Sequence, residues 1–507
     1  MKKNKLIHNS FSGLLQVILT ALLAFISVPI FINKLGLEVY GTFAIVSIVG
    51  NLNSLANFGL NGALMIYISK QGKGKQSNND IIATIIFMFL VILIVSFIML
   101  TFRDFILVKI FAIPEAHFIE ASLLFRLLIV SNAILLFGQT GTAIIDACQK
   151  VYISNIIQFI YSLLYWGGII VVILMGGRLY TIGMVILFSS ILWFGLISYS
   201  VFKIWGRLDF SKLFSAFLPS IKKQLAYGSK IYFTGIIAFL FEPLSKILLS
   251  NFVNINAVGI FEIGFKIKTQ INSLIAKSLY PLLPFIASKG STNEFKHRLY
   301  DFSTKIQIFI MPFSVILFFC FPYLINLWLG DNNSNEATVF VSVMTISMLL
   351  FSPSKIPIYQ FLLANNRAGK TFLIQLSSVI VNIAFFFLFL SKYGQYSILI
   401  SNSLAFLSSY IICSIFQIIY FNISWKVILY QELNFLVIFV LLIIPSILVN
   451  KLIPSGVIDL LVYPIITYLA FLIINKKFRL FNKKDSQYYF GTLGKFDFLF
   501  RKIFWIQ

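Results

Sequence analysis

The chain has 507 residues, of which 59% are hydrophobic and 11% charged, with a mean hydropathy of +0.93; a soluble domain carries about a quarter of its residues as charges. A soluble enzyme is excluded, and so is a membrane β-barrel, whose shorter spans alternate polar with apolar residues. The formal net charge of +23 sits between apolar runs rather than on one compact face, so no nucleic-acid partner is expected.

An apolar helix of about 20 residues crosses roughly 30 Å of hydrocarbon. Cutting at polar, Gly and Pro breaks gives fourteen such spans: 9–32, 41–68, 80–102, 118–146, 152–175, 180–202, 225–250, 257–287, 303–329, 337–362, 371–391, 395–420, 432–450 and 457–475. The first is too long for a signal peptide and lacks an Ala-x-Ala-like site. The even-numbered connections are basic, with Lys70, Lys73 and Lys75 in the first and Lys203, Arg207, Lys212, Lys222 and Lys223 in the third. Few cations occupy the odd-numbered ones, which places both termini in the cytoplasm. The organisation expected is an N-terminal lobe at 1–202, a cytoplasmic basic linker at 203–224, a C-terminal lobe at 225–421, two further spans within 422–475, and a basic, aromatic cytoplasmic tail at 476–507. The tail suits anionic lipid at the membrane interface or a solvated extension.

Cys148, Cys320 and Cys413 have no paired spacing, and His8, His117 and His297 assemble no ligand cluster; neither a metal nor a cofactor is expected. A glycosyltransferase or polymerase would need catalytic acids held by sizeable outer loops. Asp104, Glu115, Asp331 and Glu336 lie near that face, but the loops are short and no Asp-x-Asp occurs.

The basic linker divides the first twelve spans into six and six, and the halves repeat. Asn33, Gly41, Phe43 and Ile45 recur as Asn251, Gly259, Phe261 and Ile263 at a constant offset of 218. An even number of spans per half makes the repeat parallel, about an axis along the membrane normal, with a substrate path at the interface of the halves.

Charges inside spans cost about 3 kcal/mol each when lipid-exposed, so most must face protein or water. Glu262, Lys266 and Lys277 share one helical face, and Glu242 precedes Lys246 at the favourable four-residue spacing. The Glu–Lys pairs read either as salt bridges that ease insertion or as part of a polar stripe along a path. Arg126 and Lys266 lie at similar depth, one in each half. Lys355 falls between Pro353 and Pro357, which should kink or open span ten. The interior is net positive and favours an anionic, phosphate-bearing substrate. Asn51, Asn53, Asn57 and Asn61 in span two either line the cavity and bond sugars or pack helices closely.

Three stretches carry a resemblance. Leu35-Gly-Leu-Glu-Val-Tyr-Gly-Thr-Phe43 with Asn57-Phe-Gly-Leu-Asn-Gly-Ala63, Val258-Gly-Ile-Phe-Glu-Ile-Gly-Phe-Lys266, and Pro357-Ile-Tyr359 with Ala364-Asn-Asn-Arg-Ala-Gly-Lys370 resemble the polysaccharide repeat-unit flippases, the Wzx-type O-antigen and capsule translocases. The resemblance implies an all-α polytopic, MATE-like fold of about fourteen transmembrane helices, as two six-helix lobes in parallel pseudo-repeat plus two C-terminal helices. It implies ion-coupled, alternating-access flipping of an undecaprenyl-diphosphate-linked oligosaccharide across a bacterial inner membrane, beside the polymerase and chain-length machinery of the same pathway. It further implies a cationic path through Arg126, Lys266, Lys277 and Lys355, and makes Glu242, Lys246 and Glu262 the candidates for ion coupling or gating. A MATE-like drug or metabolite exporter and a flippase for another polyprenyl-linked cargo are the competing readings; an exporter of cationic cargo would want an acidic interior.

Overall fold

The computed structural model describes residues 3–49, 57–208, 213–279, 286, 292–365, 367–451 and 456–481. Among them the secondary structure is helical, with no strand. The apolar sequence dictates this: hydrocarbon offers no partner for backbone N–H and C=O groups, and a helix satisfies its own. Two compact units result, Met1–Glu262 and Ile263–Gln507.

The first unit contains α1 (Lys3–Leu35), α2 (Leu37–Val46), α3 (Leu60–Gln71), α4 (Lys75–Thr101), α5 (Phe118–Ala147), α6 (Val151–Leu174), α7 (Leu179–Trp205) and α8 (Leu213–Phe252). It also takes in the start of α9 (Ile255–Leu279). At its centre α5 packs against α7, α4 and α3, while α8 lies along α4 and α1 along α6. Trp193, Ile197 and Ile204 of α7 meet Ile145 of α5 and Ile157 of α6. Between membrane helices lipid tails are as apolar as the side chains they replace, so close packing rather than escape from water holds these contacts. The outer face of α4 shows the other half of that rule, with Phe89, Leu93 and Phe97 exposed along one stripe.

The second unit contains the rest of α9, then α10 (Asn293–Leu329), α11 (Asp331–Phe351), α12 (Ile356–Ala364), α13 (Ala368–Tyr393), α14 (Ser397–Phe421), α15 (Trp425–Asn450) and α16 (Asp459–Phe478). Here α10 packs against α11, α15 and α16, and α13 pairs with α14. Met311, Val315 and Phe319 of α10 join Phe435 and Leu442 of α15 and Tyr463 of α16 in one cluster.

Eleven stretches of the described residues are long and apolar enough to cross a membrane, one of which, Gly369–Phe421, spans both α13 and α14. Two expected spans are not among them. Span two is a broken helix: α2 and α3 are separate, and Phe58 and Gly59 take left-handed backbone angles (φ 48° and 71°) immediately before α3. Span eight, in α9, carries Glu262, Lys266, Lys268 and Lys277, too many charges for an ordinary lipid-facing helix. In span ten a short 3-10 turn at Pro353–Lys355 separates α11 from α12, as the two prolines predict. Span seven begins earlier than expected. Helix α8 starts at Leu213, so the second half of the 203–224 segment is helical. It is tied to α4 through Lys223 and the buried Asp80 at 3.3 Å, and through the Gln224–Thr84 hydrogen bond at 2.8 Å.

Candidate functional site

In the first unit Glu242 and Glu262 meet on Lys246. From α8 its ammonium lies 2.6 Å from Oε1 of Glu242, one turn back, and 2.7 Å from Oε2 of Glu262 on α9. Lys246 is 3% exposed. The sequence pairs Glu242 with Lys246 by helical spacing; the structure adds a second carboxylate from the next helix, giving a carboxylate–ammonium–carboxylate triad. Carboxylates and ammonium held together in low dielectric are stable only with excellent geometry. Tyr40 of α2 is buried, and Tyr165 of α6 is half-buried. Tyr165 belongs to a single π-helical turn, Leu163–Gly167, a local distortion common at functional positions.

Next to the triad, α2 and α9 approach closely through glycine. A Cβ on Gly41 would lie 2.2 Å from the Ile255 carbonyl oxygen, and a Cβ on Gly259 would lie 2.9 Å from the Leu37 carbonyl oxygen. Leu37 and Ile255, like Gly41 and Gly259, are separated by the repeat offset of 218. Each glycine therefore faces the residue equivalent to the one faced by its counterpart. Such reciprocity is the signature of a two-fold contact, here inside one chain.

Of the span-two asparagines, Asn51 and Asn53 lie outside the described residues. The Asn57 side chain accepts from the Asn61 backbone N–H at 3.2 Å, across the start of α3, and Asn61 Oδ1 accepts the Thr140 hydroxyl at 3.2 Å. Among the described residues the buried Asn61 amide nitrogen has no acceptor. Arg126 stands on the exposed side of α5. Its charge reaches Asp104, outside the spans, whose carboxyl is held below its ordinary range first by the Arg103 hydrogen bond and further by Arg126.

In the second unit the cations gather on an aromatic ring. Lys355, in the turn between α11 and α12, places Nζ 5.9 Å from the centre of the Phe406 ring of α14. Lys268 of α9 lies 5.5 Å from the same ring and 4.2 Å from that of Phe265. Helical spacing sets Lys268 off the polar stripe and so off the path, yet it is 7% exposed and shares Phe406 with Lys355. No carboxylate lies within ion-pair distance of Lys355 among the described residues. An aromatic face recovers about 0.5–2 kcal/mol for an ammonium, less than the several kcal/mol of desolvation. The remainder favours an anion arriving from outside the protein. Lys266 is half-buried on α9, and the Lys277 side chain lies outside the described residues.

The described residues contain no group of three or more His, Cys, Asp or Glu able to hold a metal ion.

Residues 6–289 match the family described as Polysaccharide biosynthesis protein. No curated protein sequence matches the chain. Among solved structures, the fold is similar to that of the lipid II flippase MurJ in an inward closed conformation, at a TM-score of 0.72 and 18% identity over 93% of this chain and 98% of that one. It is also similar to an inward-facing multidrug resistance MATE family transporter of the MOP superfamily, at a TM-score of 0.64 and 14% identity over 79% of this chain and 94% of that one. A third neighbour, a MATE protein in complex with MaL6, gives a TM-score of 0.60 and 14% identity over 82% of this chain and 96% of that one.

Proposed function

Because the chain belongs to the polysaccharide biosynthesis protein family, we propose that it flips an undecaprenyl-diphosphate-linked oligosaccharide repeat unit from the cytoplasmic to the outer leaflet of a bacterial inner membrane. Two six-helix lobes, 1–202 and 225–421, alternate access to the cargo, and both termini lie in the cytoplasm. The observation that carries this reading is Lys355, an ammonium set in the break of a membrane-crossing helix with no carboxylate beside it among the described residues. A diphosphate is the natural counter-ion, and Lys268 on the same ring adds to its attraction. Arg126, Lys266 and Lys277 extend the cationic path, and Asn57 and Asn61 serve the sugars.

The Glu242–Lys246–Glu262 triad couples the cycle to an ion. Lys246 bridges α8 and α9 through the two carboxylates, so a cation or proton that competes for either carboxylate changes how firmly α8 holds α9. The Gly41–Gly259 contact closes the outer end of the passage. The MATE-like fold also suits a drug exporter, but buried ammoniums oppose cationic cargo. A fold like that of a lipid II flippase supports polyprenyl-linked cargo. The pathway's polymerase and chain-length machinery receive the product, and anionic lipid holds the basic tail.

Deleting the gene in its host tests the reading. The complete lipid-linked repeat unit should accumulate on the cytoplasmic leaflet while surface polymer is lost. An unchanged lipid-linked pool with altered drug tolerance would overturn it in favour of an exporter.

A further inference from the structure

The second unit holds a carboxyl group that the transport path does not use. Glu432 lies seven residues into α15, about 10 Å along its axis, and no Lys, Arg or His is within ion-pair distance of it among the described residues. Its Oε1 meets the hydroxyl of Tyr410 on α14 directly. The same hydroxyl lies 3.1 Å from Oε1 of Gln307 on α10.

A phenol owns one proton and can donate to only one of these two acceptors. With Glu432 protonated, its O–H donates to the Tyr410 oxygen and Tyr410 donates to the Gln307 carbonyl. Every partner is then satisfied with the Gln307 oxygen facing the Tyr410 hydroxyl. With Glu432 ionised, Tyr410 donates to the carboxylate, and Gln307 must turn its amide over to present an N–H to the Tyr410 oxygen. The direction of this three-residue chain therefore records whether the proton is present.

The surrounding groups leave the proton as the variable. Tyr300 of α10 is close enough to feel the Glu432 charge. Lys305, also on α10, donates to the Leu480 carbonyl at 2.6 Å and faces the Phe481 ring. On α15 itself, Lys426 stands over Trp425, and Gln431 accepts from the Thr304 hydroxyl at 3.2 Å.

We propose that Glu432 is a proton-binding site, and that Tyr410 and Gln307 are positioning residues through which its occupancy sets the attachment of α15 to α10 and α14. The first of the two helices following the repeat would thus respond to pH independently of the Lys246 triad. The test needs no cargo, so its failure is distinct from failure of the flippase reading. Full-length protein is taken through an acid-to-alkaline titration and followed by infrared difference spectroscopy. The wild type should show a protonated-carboxyl band that Glu432→Gln removes and Tyr410→Phe shifts in both frequency and midpoint. A merely structural tyrosine clamp would leave no such titrating band. The proposal is overturned if Glu432→Gln keeps the whole band, or if Tyr410→Phe leaves both frequency and midpoint unchanged. Where Glu432→Gln does not fold, the Tyr410→Phe shift alone decides.

Discussion

Substituting Gly41 by Ala probes the reciprocal helix contact most directly. The new methyl would sit 2.2 Å from the Ile255 carbonyl oxygen and 3.2 Å from the Gly259 nitrogen, both backbone atoms that no rotamer change can move. An unstrained C···O contact needs about 3.3 Å or more, so α2 and α9 must separate locally by roughly 1 Å. A gap of that size forfeits a quarter to a half of each dispersion contact across it, and overpacking of this kind costs about 1–3 kcal/mol. If the contact opens during the cycle, that cost falls on the closed arrangement and raises the open population by about 5- to 150-fold. Gly259→Ala should act in the same direction but less strongly, since its methyl meets the Leu37 oxygen at 2.9 Å. The two together should cost less than their sum, because helices already separated by one methyl admit the other. The assay is the labelling rate of Val258→Cys, a buried position, by a membrane-impermeant thiol reagent in a background with Cys148, Cys320 and Cys413 replaced by Ser. Gly41→Ala labelling at the parent rate, or strictly additive glycine effects, would refute the reasoning.

Three further outcomes are expected. Lys246→Met removes a buried ammonium from between the half-buried Glu242 and Glu262 and should destabilise the protein by about 3–5 kcal/mol; adding Glu242→Gln and Glu262→Gln should recover most of the loss in thermal unfolding of purified protein, and failure of that rescue would mean the triad is not the source. Lys355→Glu should abolish surface polymer at unchanged protein level while Lys355→Arg retains part of it, so normal export by the Glu variant would sink the cationic path. Burial pushes the Cys148 thiol up, against the opposing charges of Lys73 and Lys150, and since the thiolate is the reactive form, maleimide labelling lost in Cys148→Ser should be slow near neutrality and rise only at pH above the ordinary thiol range. A rate matching that of a free cysteine at neutral pH would contradict this.

Particular residues show how far the sequence could be read. The membrane-crossing helices follow from apolar run length, which works because hydrocarbon leaves the backbone no choice. The opening at Pro353–Lys355 was legible for the same local reason, since proline removes a donor and clashes with the preceding turn. Partner choice was not legible. Spacing pairs Lys246 with Glu242, but nothing in the periodicity of α9 says that Glu262 turns toward α8. Helical angle alone puts Lys268 on a different face from Lys266, yet Phe406, far away in sequence, is the ring it shares with Lys355. Glu432 falls on the first residue of the expected 432–450 span and reads as a boundary charge. The helix in fact begins at Trp425, seven residues earlier. The break at Phe58–Gly59 hides among residues that are all tolerable in a membrane helix, because its cause is a backbone angle rather than a polarity change.

The 40 residues of α8 make a rod roughly 60 Å long, about twice the hydrocarbon thickness. Near one end it carries Lys246, and near the other Lys223 and Gln224, fastened to α4. Pro243 interrupts its backbone bonding within a turn of the triad, and proline is where helices bend by 20° or more. A change of about 20° there would swing Lys223, roughly 30 Å along the rod, by roughly 10 Å. A bend at Pro243 would thus work as a lever whose long arm includes the second half of the 203–224 segment, expected from the sequence to be a cytoplasmic basic linker.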